Sequence, residues 1–301
     1  MKLIVTGAFG FIGSNLVEAL NRRGIVPYVI DKWKVDDPKW KNIRGLNFIR
    51  IDESEVGSLT LPGEKLVVVA LGASVDTREG MSEALWENNV ESVIRLSCHA
   101  DKFIYASSGA TYGLEENDFT ERVVGLRAAN PYAQTKLALD DYFYNKDRTY
   151  GLRFFNVFGP REFHKGDMAS LVTKGLLKQP PLYADGKWHL FKHPSGLPIS
   201  RDFVFVGDVV KAIIHFVDTN GIKSGVYNIG SGESRSFESL VKAVEDIPIE
   251  YVDLPDALKD QYQRVTKANL TKLREVAGYK EPFLTLEEGI EKTREWLKVN
   301  G

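Results

Sequence analysis

The segment KLIVTGAFGFIGSN, residues 2–15, places three glycines between a short β-branched run and a stretch with helical spacing. Gly7 permits a tight turn, Gly10 lets the backbone approach a pyrophosphate, and Gly13 lets helix and strand pack closely. The N-terminus of the following helix adds N–H donors and a positive dipole for the phosphates. Asp31 ends the next strand-like run, where a carboxylate can bind the adenosine ribose. We therefore predict a dinucleotide site rather than a structural glycine turn.

Apolar runs recur along the chain, and stretches with helical spacing separate several of them. The predicted strands are 3–7, 26–31, 46–52, 65–72, 102–108 and 150–157, and the clearest predicted helices are 11–23, 82–100, 131–145 and 209–217. Strands that are buried on both faces and alternate with helices indicate a parallel α/β sheet.

Composition narrows the class of protein. A chain of 301 residues with 43% apolar and 27% charged residues has the composition of a globular protein and room for two domains. A net charge of −2 gives no general attraction to nucleic acid or to anionic membrane. The single cysteine, Cys98, excludes an intrachain disulfide and a multi-cysteine metal site, and no metal is predicted. No run reaches transmembrane length and the N-terminus does not resemble a signal peptide, so we expect a soluble, cytoplasmic protein.

At this point the sequence does not distinguish NAD from NADP as the cofactor. Asp31 favours NAD, whereas the lysines that follow it could neutralise the additional 2′-phosphate of NADP or could form a solvated loop. These lysines are Lys32, Lys34, Lys39 and Lys41. The LGAS loop, residues 71–74, and the NNV stretch, residues 88–90, lie where the phosphate and nicotinamide ends of a cofactor would pass.

The segment NPYAQTK places Tyr132 and Lys136 four residues apart, on one face of a helix. A tyrosine with an ordinary pKa of about 10 is a poor base near neutrality, and a nearby ammonium lowers that pKa. Lys136 can also hold the nicotinamide ribose. In YASSGATYG, residues 105–113, Ser108 ends a predicted strand and would share the proton of a substrate hydroxyl with Tyr132.

These three blocks, in this order and together with RDFVFVGDV, residues 201–209, resemble the extended short-chain dehydrogenase/reductases over essentially the whole chain. The resemblance implies an α/β fold with a Rossmann-like doubly wound parallel sheet and a smaller mixed α/β substrate domain for a nucleotide-diphosphate sugar. It implies one tightly bound NADP or NAD per subunit and a catalytic set of Ser108, Tyr132 and Lys136. The expected division is 1–160 plus 202–224 for the cofactor and 161–201 plus 225–301 for the sugar, and we expect a homo-oligomer.

The turn after the serine separates the reactions of this family. Sugar 4,6-dehydratases carry an Asp–Glu pair there, whereas this chain has Gly109 and Ala110, which cannot transfer protons. Dehydration is therefore disfavoured. An epimerase, which oxidises a carbinol to a ketone and returns the hydride to the other face of the sugar, is favoured.

Two longer blocks resemble the ADP-glyceromanno-heptose 6-epimerases within that family, namely FFNVFGPREFHKGDMAS, residues 154–170, and residues 256–290. The resemblance implies that Lys165 is a second catalytic base. After the ketone has turned over, its oxygen no longer meets Tyr132 in the same way, so a proton donor on the other side is useful. The alternatives for Lys165 are a phosphate-binding or a surface lysine. The alternatives for the protein are a UDP-hexose 4-epimerase and a non-catalytic NAD(P)-binding protein.

The same alignment implies the remaining site residues. The implied substrate-binding residues are Ser108, Asn156, Asp167, Lys174, Arg201 and Tyr262. The implied cofactor-binding residues are Gly7, Phe9, Gly10, Phe11, Ile12, Gly13, Asp31, Lys32, Lys39, Asp52, Leu71, Gly72, Ala73, Ser74, Asn88, Tyr132, Lys136 and Val157. Asp167 and Lys174 stand where the heptose epimerases carry serine and histidine.

Three further features are left with two interpretations each. Arg201 could hold a diphosphate or could pair with Asp202. His164 is predicted to be a positioning or a surface residue, because no second metal ligand lies at a suitable spacing. The long segment 183–200, with Trp188, His189 and His193, could be a lid that stacks on the nucleotide base or a rigid exposed insertion.

Overall fold

The structure, a computed structural model, describes residues 1–32, 37–59, 63–75, 80–116, 119–259 and 261–300. In chain order its strands are β1 (Lys2–Thr6), β2 (Tyr28–Ile30), β3 (Ile49–Arg50), β4 (Leu66–Ala70), β5 (Lys102–Ser108), β6 (Thr149–Phe154), β7 (Asn156–Phe158), β8 (Tyr183–Ala184), β9 (Lys187–Lys192), β10 (Ser200–Phe205), β11 (Gly225–Ile229), β12 (Ser234–Ser236) and β13 (Ile249–Asp253). Its α-helices are α1 (Phe11–Arg22), α2 (Trp40–Ile43), α3 (Glu83–Trp86), α4 (Ser92–Ser97), α5 (Pro131–Tyr142), α6 (Leu171–Leu176), α7 (Val206–Asp218), α8 (Phe237–Val244), α9 (Thr271–Glu275) and α10 (Leu286–Asn300).

Seven strands form one parallel sheet in the order β11-β6-β5-β4-β1-β2-β3. The chain leaves β1 in one direction, towards β2 and β3, and later continues from β4 in the other direction. The boundary between β1 and β4 is thus a topological switch point, where open α/β sheets bind ligands beyond the carboxyl ends of their strands. The predicted Rossmann-like doubly wound sheet with a smaller mixed part is confirmed.

The centre of the sheet is buried on both faces because β1 and β4 carry continuous apolar runs. In β1, Leu3 and Val5 face the core that contains α1 and α7, whereas Ile4 faces the core that contains α4 and α5. In β4, Val67 and Val69 join the first core and Val68 joins the second. Burying one such side chain contributes about 1.5–3 kcal/mol. Continuous apolar runs are therefore the sequence pattern of a sheet covered by helices on both sides.

Two three-stranded sheets form the smaller part of the molecule, with the strand orders β12-β10-β7 and β13-β9-β8. A separate apolar core lies beneath them. It contains Trp188 of β9, Phe203 of β10, Phe237 and Leu240 of α8, and Ile290 of α10.

The strand pairing departs from the predicted division at three strands. The run 150–157 is not one strand, because it divides at Phe155 into β6 in the large sheet and β7 in a small one. β10 pairs with β7, and β11 (225–229) pairs with β6 although it was assigned to the sugar-binding part. A sugar-binding part that follows this pairing would include 156–158 and 200–205, and its last segment would begin after Ile229.

The first part of the segment 183–200 is packed into a sheet, whereas residues 194–198 are exposed. β8 and β9 form a hairpin whose second strand pairs in parallel with β13. Trp188 is fully buried and its Nε1 donates to the carbonyl of Glu245 at 2.8 Å. Of the two interpretations of this segment, the one in which Trp188 stacks on a nucleotide base does not fit its burial. In the part of the chain that the structure describes, no helix is both long and apolar enough to cross a membrane.

Candidate active site

The glycine loop after β1 has the shape that a pyrophosphate requires. Gly7 has a φ of 63°, and a Cβ added to it would lie 2.6 Å from the Cα of Gly72. A Cβ on Gly13 would collide with the carbonyl oxygen of Gly7. No side chain caps the N-terminus of α1 at Gly10, so the first-turn N–H groups there are not satisfied by a cap. The residues present therefore fit a dinucleotide, with its phosphates against the loop and the start of α1.

Asp31 lies beside this loop, directly after β2. Its Oδ2 accepts a hydrogen bond from the Phe9 N–H at 2.7 Å. Burial raises the pKa of Asp31, and this bond and Lys39 oppose the increase. The ring of Phe9 packs against Trp40 and Phe48 with centroids 5.8 and 5.5 Å apart, so Phe9 offers the site its backbone and not its side chain.

The predicted lysines have separate surroundings. The Lys32 Nζ donates to the Asn88 Oδ1 at 3.0 Å, which brings two predicted cofactor residues together. Lys39 acts electrostatically on Asp31, and the Lys41 Nζ lies 5.9 Å from the ring centroid of Phe163. Lys34 lies outside the described residues. Asp52 forms a capping box with Glu55 at the start of a short 3₁₀ helix, which gives its carboxylate a structural role.

The loop Leu71–Ser74 follows β4, and Asn89 holds it in place. The Asn89 side chain, which is completely buried, accepts from the Ser74 N–H at 2.8 Å and donates to the Ser74 carbonyl at 2.9 Å and to the Thr135 hydroxyl at 3.2 Å. It lies in the single π-helical segment Glu87–Glu91 that the described chain contains, and such segments often occur at functional sites. The sequence analysis missed Asn89, although its NN pair marked the region.

The structure brings Ser108, Tyr132 and Lys136 together as predicted. Ser108 ends β5 and Tyr132 is the second residue of α5, whose N-terminus is capped by Asn130. The Ser108 hydroxyl is a neighbour of Tyr132 that acts to lower the pKa of the phenol. The Lys136 Nζ lies 5.9 Å from the Tyr132 ring centroid. These groups lie at the carboxyl end of β5 and on α5, the helix that leads from β5 to β6, on the same edge of the sheet as the glycine loop.

In the protein without cofactor, the pKa of Tyr132 is raised, and not lowered as predicted from the nearby Lys136. Burial raises the pKa of Tyr132, and the neighbouring Ser108 opposes this. Burial also lowers the pKa of Lys136 to about 8, with Asp140 acting in the opposite direction. Tyr132 is therefore a neutral phenol at pH 7 in this structure.

A buried ionic network, which the sequence analysis missed, lies beside the catalytic helix. The Asp140 carboxylate accepts from the Arg153 Nε at 2.8 Å, the Ser107 hydroxyl at 2.9 Å and the Tyr105 hydroxyl at 3.1 Å. The side chains of Asp140 and Arg153 have no solvent exposure, and the guanidinium lies 4.7 Å from the ring centroid of Tyr112. The spacing of Lys136 and Asp140, four residues apart on a helix, was the available signal.

Arg201 lies in an aromatic clamp, 5.6 Å from the ring centroid of Phe237 and 5.3 Å from that of Tyr262. It is 7% exposed, and burial lowers its pKa to about 10, so it remains a cation at pH 7. Three of its N–H groups donate to the carbonyls of Ser200, Gln263 and Arg264. A guanidinium has five such donors, so two remain for a ligand within the described chain.

The alternative that Arg201 pairs with Asp202 is excluded. The Asp202 carboxylate accepts hydrogen bonds from the backbone N–H groups of Ser231, Gly232 and Ala268 at 2.7–2.9 Å. Among the described residues, no carboxylate forms an ion pair with Arg201. A buried guanidinium with no carboxylate partner and with two remaining donors fits a phosphate oxygen.

Gln263, which the sequence analysis did not identify, connects this clamp to the catalytic serine. Its Nε2 donates to the Gly113 carbonyl at 2.7 Å and to the Gly109 carbonyl at 3.3 Å. These two glycines begin and end the short turn that follows Ser108.

The loop that carries Lys165 packs against the first helix. The Lys165 Nζ lies 5.3 Å from the ring centroid of Phe11, the first residue of α1, and 3.1 Å from the Glu162 Oε1. Glu162 is 1% exposed and also accepts from the Ser170 N–H and from the hydroxyls of Ser170 and Thr173 at 2.6–2.9 Å. Lys165 is thus held beside the glycine loop, and it is not a freely moving surface lysine.

The remaining predicted substrate-binding residues lie near the loop that carries Lys165 or in the sheet formed by β12, β10 and β7. The Lys174 Nζ donates to the Asp167 carbonyl at 2.6 Å, so the two positions that depart from the heptose epimerases contact each other. Asn156 is exposed and Val157 half-buried at the start of β7, directly opposite Phe203 and Val204. A surface depression of about 820 Å³ lies elsewhere, between the 231–234 turn and residues 265–275, and contains none of the predicted catalytic residues.

Comparison with known proteins identifies the family. The NAD-dependent epimerase/dehydratase family matches residues 3–230. The chain belongs to this family. The predicted relation to the extended short-chain dehydrogenase/reductases is confirmed, and the chain is an NAD-dependent enzyme of the epimerase/dehydratase class.

Solved structures of this family resemble the chain over almost its whole length. The ADP-L-glycero-D-manno-heptose-6-epimerase of Helicobacter pylori is 29% identical with a TM-score of 0.78, and the alignment covers 99% of this chain and 96% of that one. The UDP-glucose 4-epimerase of Thermotoga maritima, solved with UDP-glucose, is 27% identical with a TM-score of 0.77 and 99% coverage of both chains. The UDP-glucuronic acid 4-epimerase of Bacillus cereus, in complex with UDP-glucuronic acid and NAD, is 25% identical with a TM-score of 0.77 and 99% coverage of both.

Proposed function

We propose that the protein is a nucleotide-sugar epimerase of the ADP-glyceromanno-heptose 6-epimerase type. The observation that carries the proposal is the position of two separate candidate proton-transfer groups at the same edge of the large sheet, one after β5 and one over the start of α1. Ser108 is a neighbour of Tyr132 that acts on its pKa, and the Lys165 ammonium lies over Phe11 at the start of α1. A 4-epimerase in which the whole sugar ring turns over can work with the tyrosine alone, and Lys165 would then have no proton to transfer.

Each residue of the site has a distinct role in this proposal. Bound NAD or NADP supplies the acceptor that takes the hydride from the carbinol carbon and returns it to the opposite face. Tyr132 exchanges a proton with the sugar oxygen in one half-reaction, and Lys165 does so in the other. Ser108 donates to the same oxygen, and Lys136 holds the cofactor ribose.

The substrate phosphates bind at the aromatic clamp in this proposal. Arg201 is fixed between Phe237 and Tyr262 and keeps two N–H donors for a diphosphate. Gln263 connects this end of the substrate to the turn after Ser108. Asn156 then contacts the sugar. The relatives that act on UDP-sugars provide the second candidate function, a UDP-hexose 4-epimerase, because they are nearly as similar to the chain.

Incubation with candidate substrates tests the proposal. The purified protein is mixed with NAD or NADP and, in parallel, with ADP-glyceromanno-heptose, UDP-glucose and UDP-glucuronic acid, and the sugar protons are followed by NMR. We expect the C6 epimers of the heptose to interconvert, with little change in the UDP-sugars. Conversion of a UDP-sugar at C4 with no change in the heptose would refute the 6-epimerase proposal and support the second candidate.

A further inference from the structure

His164 lies next to Lys165 but has no role in the proposed reaction. Its Nδ1 lies 3.0 Å from the Nδ2 of Asn42, and its ring meets that of Phe163 edge to face at 6.2 Å. The side chain is half-buried. The His164 side chain therefore packs from its loop against α2. It is not the surface residue that the sequence left as one alternative.

Asn42 connects this histidine to the cofactor loop. It is 1% exposed, lies in α2, and donates from the same Nδ2 to the carbonyl of Phe9 at 3.0 Å. The N–H of Phe9 in turn donates to the Asp31 carboxylate at 2.7 Å. Hydrogen bonds thus link Asp31, Phe9, Asn42 and His164 in sequence, and Lys165 is the next residue of the chain.

The amide nitrogen of Asn42 determines which ring nitrogen of His164 carries the proton. An amide nitrogen only donates, so the Nδ1 of His164 must accept, and the ring proton lies on Nε2. Burial, together with the positive charges of Lys39 and Lys165, lowers the pKa of His164 to about 4. A neutral ring at this point accepts the Asn42 bond and adds no third positive charge beside the two lysines.

Other contacts keep the loop docked without this bond. Arg161 pairs with Glu18 of α1 at 2.8 Å, and Asn15 donates to the Pro160 carbonyl at 2.9 Å. Glu162 anchors the following turn through its bonds to Ser170 and Thr173. Loss of the Asn42–His164 bond should therefore leave the loop in place and alter only the segment that carries Lys165.

We propose that Asn42 and His164 are positioning residues that hold the Lys165 ammonium over Phe11 and tie it to the cofactor loop. The inference rests on the proposed function, since it assigns Lys165 a proton-transfer role. Neither residue touches the reacting atoms. Their substitution should impair the half-reaction that uses Lys165 and spare the one that uses Tyr132.

Half-reactions are needed to test this, because the two directions of the complete epimerisation are linked by the equilibrium constant. Enzyme loaded with NAD or NADP is mixed in single-turnover amounts with each C6 epimer of ADP-glyceromanno-heptose, and the absorbance of the reduced nicotinamide is followed. Lys165→Met identifies the epimer whose oxidation depends on the lysine. We expect His164→Leu to slow that epimer about tenfold relative to the other, which corresponds to the loss of about one hydrogen bond.

Matched variants separate positioning from general damage. His164→Asn puts its Oδ1 where the Nδ1 of His164 stood, keeps an acceptor for Asn42 and should restore most of the lost rate. In the Lys165→Met background, His164→Leu should have no further effect on the ratio. Asn21→Ala is a control variant away from the site. It removes an amide that donates to the carbonyls of Ile25 and Asn47, and it should leave the ratio of the two epimers' oxidation rates unchanged.

A second measurement does not depend on turnover. Lysines are converted to ¹³C-dimethyl-lysines, which keep their charge, and the NMR signal of Lys165 is assigned with Lys165→Arg. His164→Leu should shift this signal, and His164→Asn should leave it near its original position. An unchanged Lys165 signal in His164→Leu would overturn the positioning role, whether or not the heptose is the substrate.

The outcomes distinguish the two proposals. If Lys165→Met affects one epimer selectively but His164→Leu affects neither, the positioning role is wrong and the proposed function stands. If Lys165→Met affects both epimers equally, Lys165 is not the second proton-transfer group, and the positioning role is wrong together with that part of the proposed function.

Discussion

The burial of Lys136 can be tested by measuring stability. The fold places this ammonium group out of contact with water, which lowers the free energy of unfolding of the protein. Its side chain is 2% exposed, and burial lowers its pKa to about 8 from an ordinary 10.5. Between these two values the unfolded chain holds a proton that the folded chain has lost, so stability increases with pH across that window. Below pH 8 both states are protonated, and the buried charge then costs folding about 3 kcal/mol, because each pH unit between the two pKa values corresponds to about 1.4 kcal/mol.

The substitution Lys136→Met removes this titration. In cofactor-free protein at pH 7, we expect its free energy of unfolding to exceed that of the wild type by about 3 kcal/mol from this source. Above pH 8 the gap should shrink by about 1.4 kcal/mol per pH unit and should close near the ordinary lysine pKa. Turnover should be lost at the same time, because the lysine can no longer hold the cofactor ribose.

Urea denaturation followed by tryptophan fluorescence at pH 7, 8, 9 and 10 measures the gap. The exposed Lys292 provides the control for the loss of a lysine side chain, through Lys292→Met. A gap between Lys136→Met and wild type that stays constant from pH 7 to 10 would refute the reasoning, because it would show that Lys136 titrates as it does in the unfolded chain.

Three further predictions concern the site. Tyr132→Phe should abolish turnover and leave the calorimetric affinity for NAD unchanged within about twofold, whereas substantial residual turnover would remove Tyr132 from the mechanism. Arg201→Lys should raise the KM of the nucleotide sugar by at least about tenfold with a smaller effect on kcat, because an ammonium cannot replace the planar guanidinium between two rings; an unchanged KM would place the diphosphate elsewhere. Asp140→Ala should lower the free energy of unfolding by about 3–5 kcal/mol in urea titrations, because it leaves Arg153 buried without a counter-ion, and a loss below about 1 kcal/mol would contradict this.

The sequence predicted those features of the fold that depend on local pattern. Continuous apolar runs gave the large sheet, and the spacing of Gly7, Gly10 and Gly13 gave the loop that the structure shows between β1 and α1. Ser108, Tyr132 and Lys136 could be combined because the serine ends a predicted strand, the tyrosine and lysine are four residues apart on the helix that follows, and the three blocks resemble the family.

Features that depend on contacts between distant segments were not predictable in this way. The run 150–157 is apolar throughout most of its length, and nothing in its pattern shows that Phe155 separates two strands of different sheets. The segment that contains Trp188 could be a lid or an exposed insertion by sequence, yet β9 pairs in parallel with β13 and Trp188 is fully buried.

The polar residues that the sequence analysis missed share a physical reason. Asn42, Asn89 and Gln263 act through side-chain amides that bridge backbone carbonyls or loops more than 10 residues away. Asn and Gln in helices and loops are usually solvated, so their type and spacing carry no signal of such a role. The direction of the Tyr132 pKa was wrong for a related reason, because the degree of burial is a property of the folded chain.

The measurement that tests the central claim most directly is epimerisation of ADP-glyceromanno-heptose in D₂O, with the carbon-bound hydrogen at C6 of the product determined by NMR and mass spectrometry. If the reaction proceeds by transient oxidation with return of the same hydride, the epimerised product contains no deuterium at C6. Deuterium at C6 that accumulates with turnover would show removal of a carbon-bound proton to solvent. That result would contradict the oxidation–reduction account and the roles assigned to Tyr132 and Lys165.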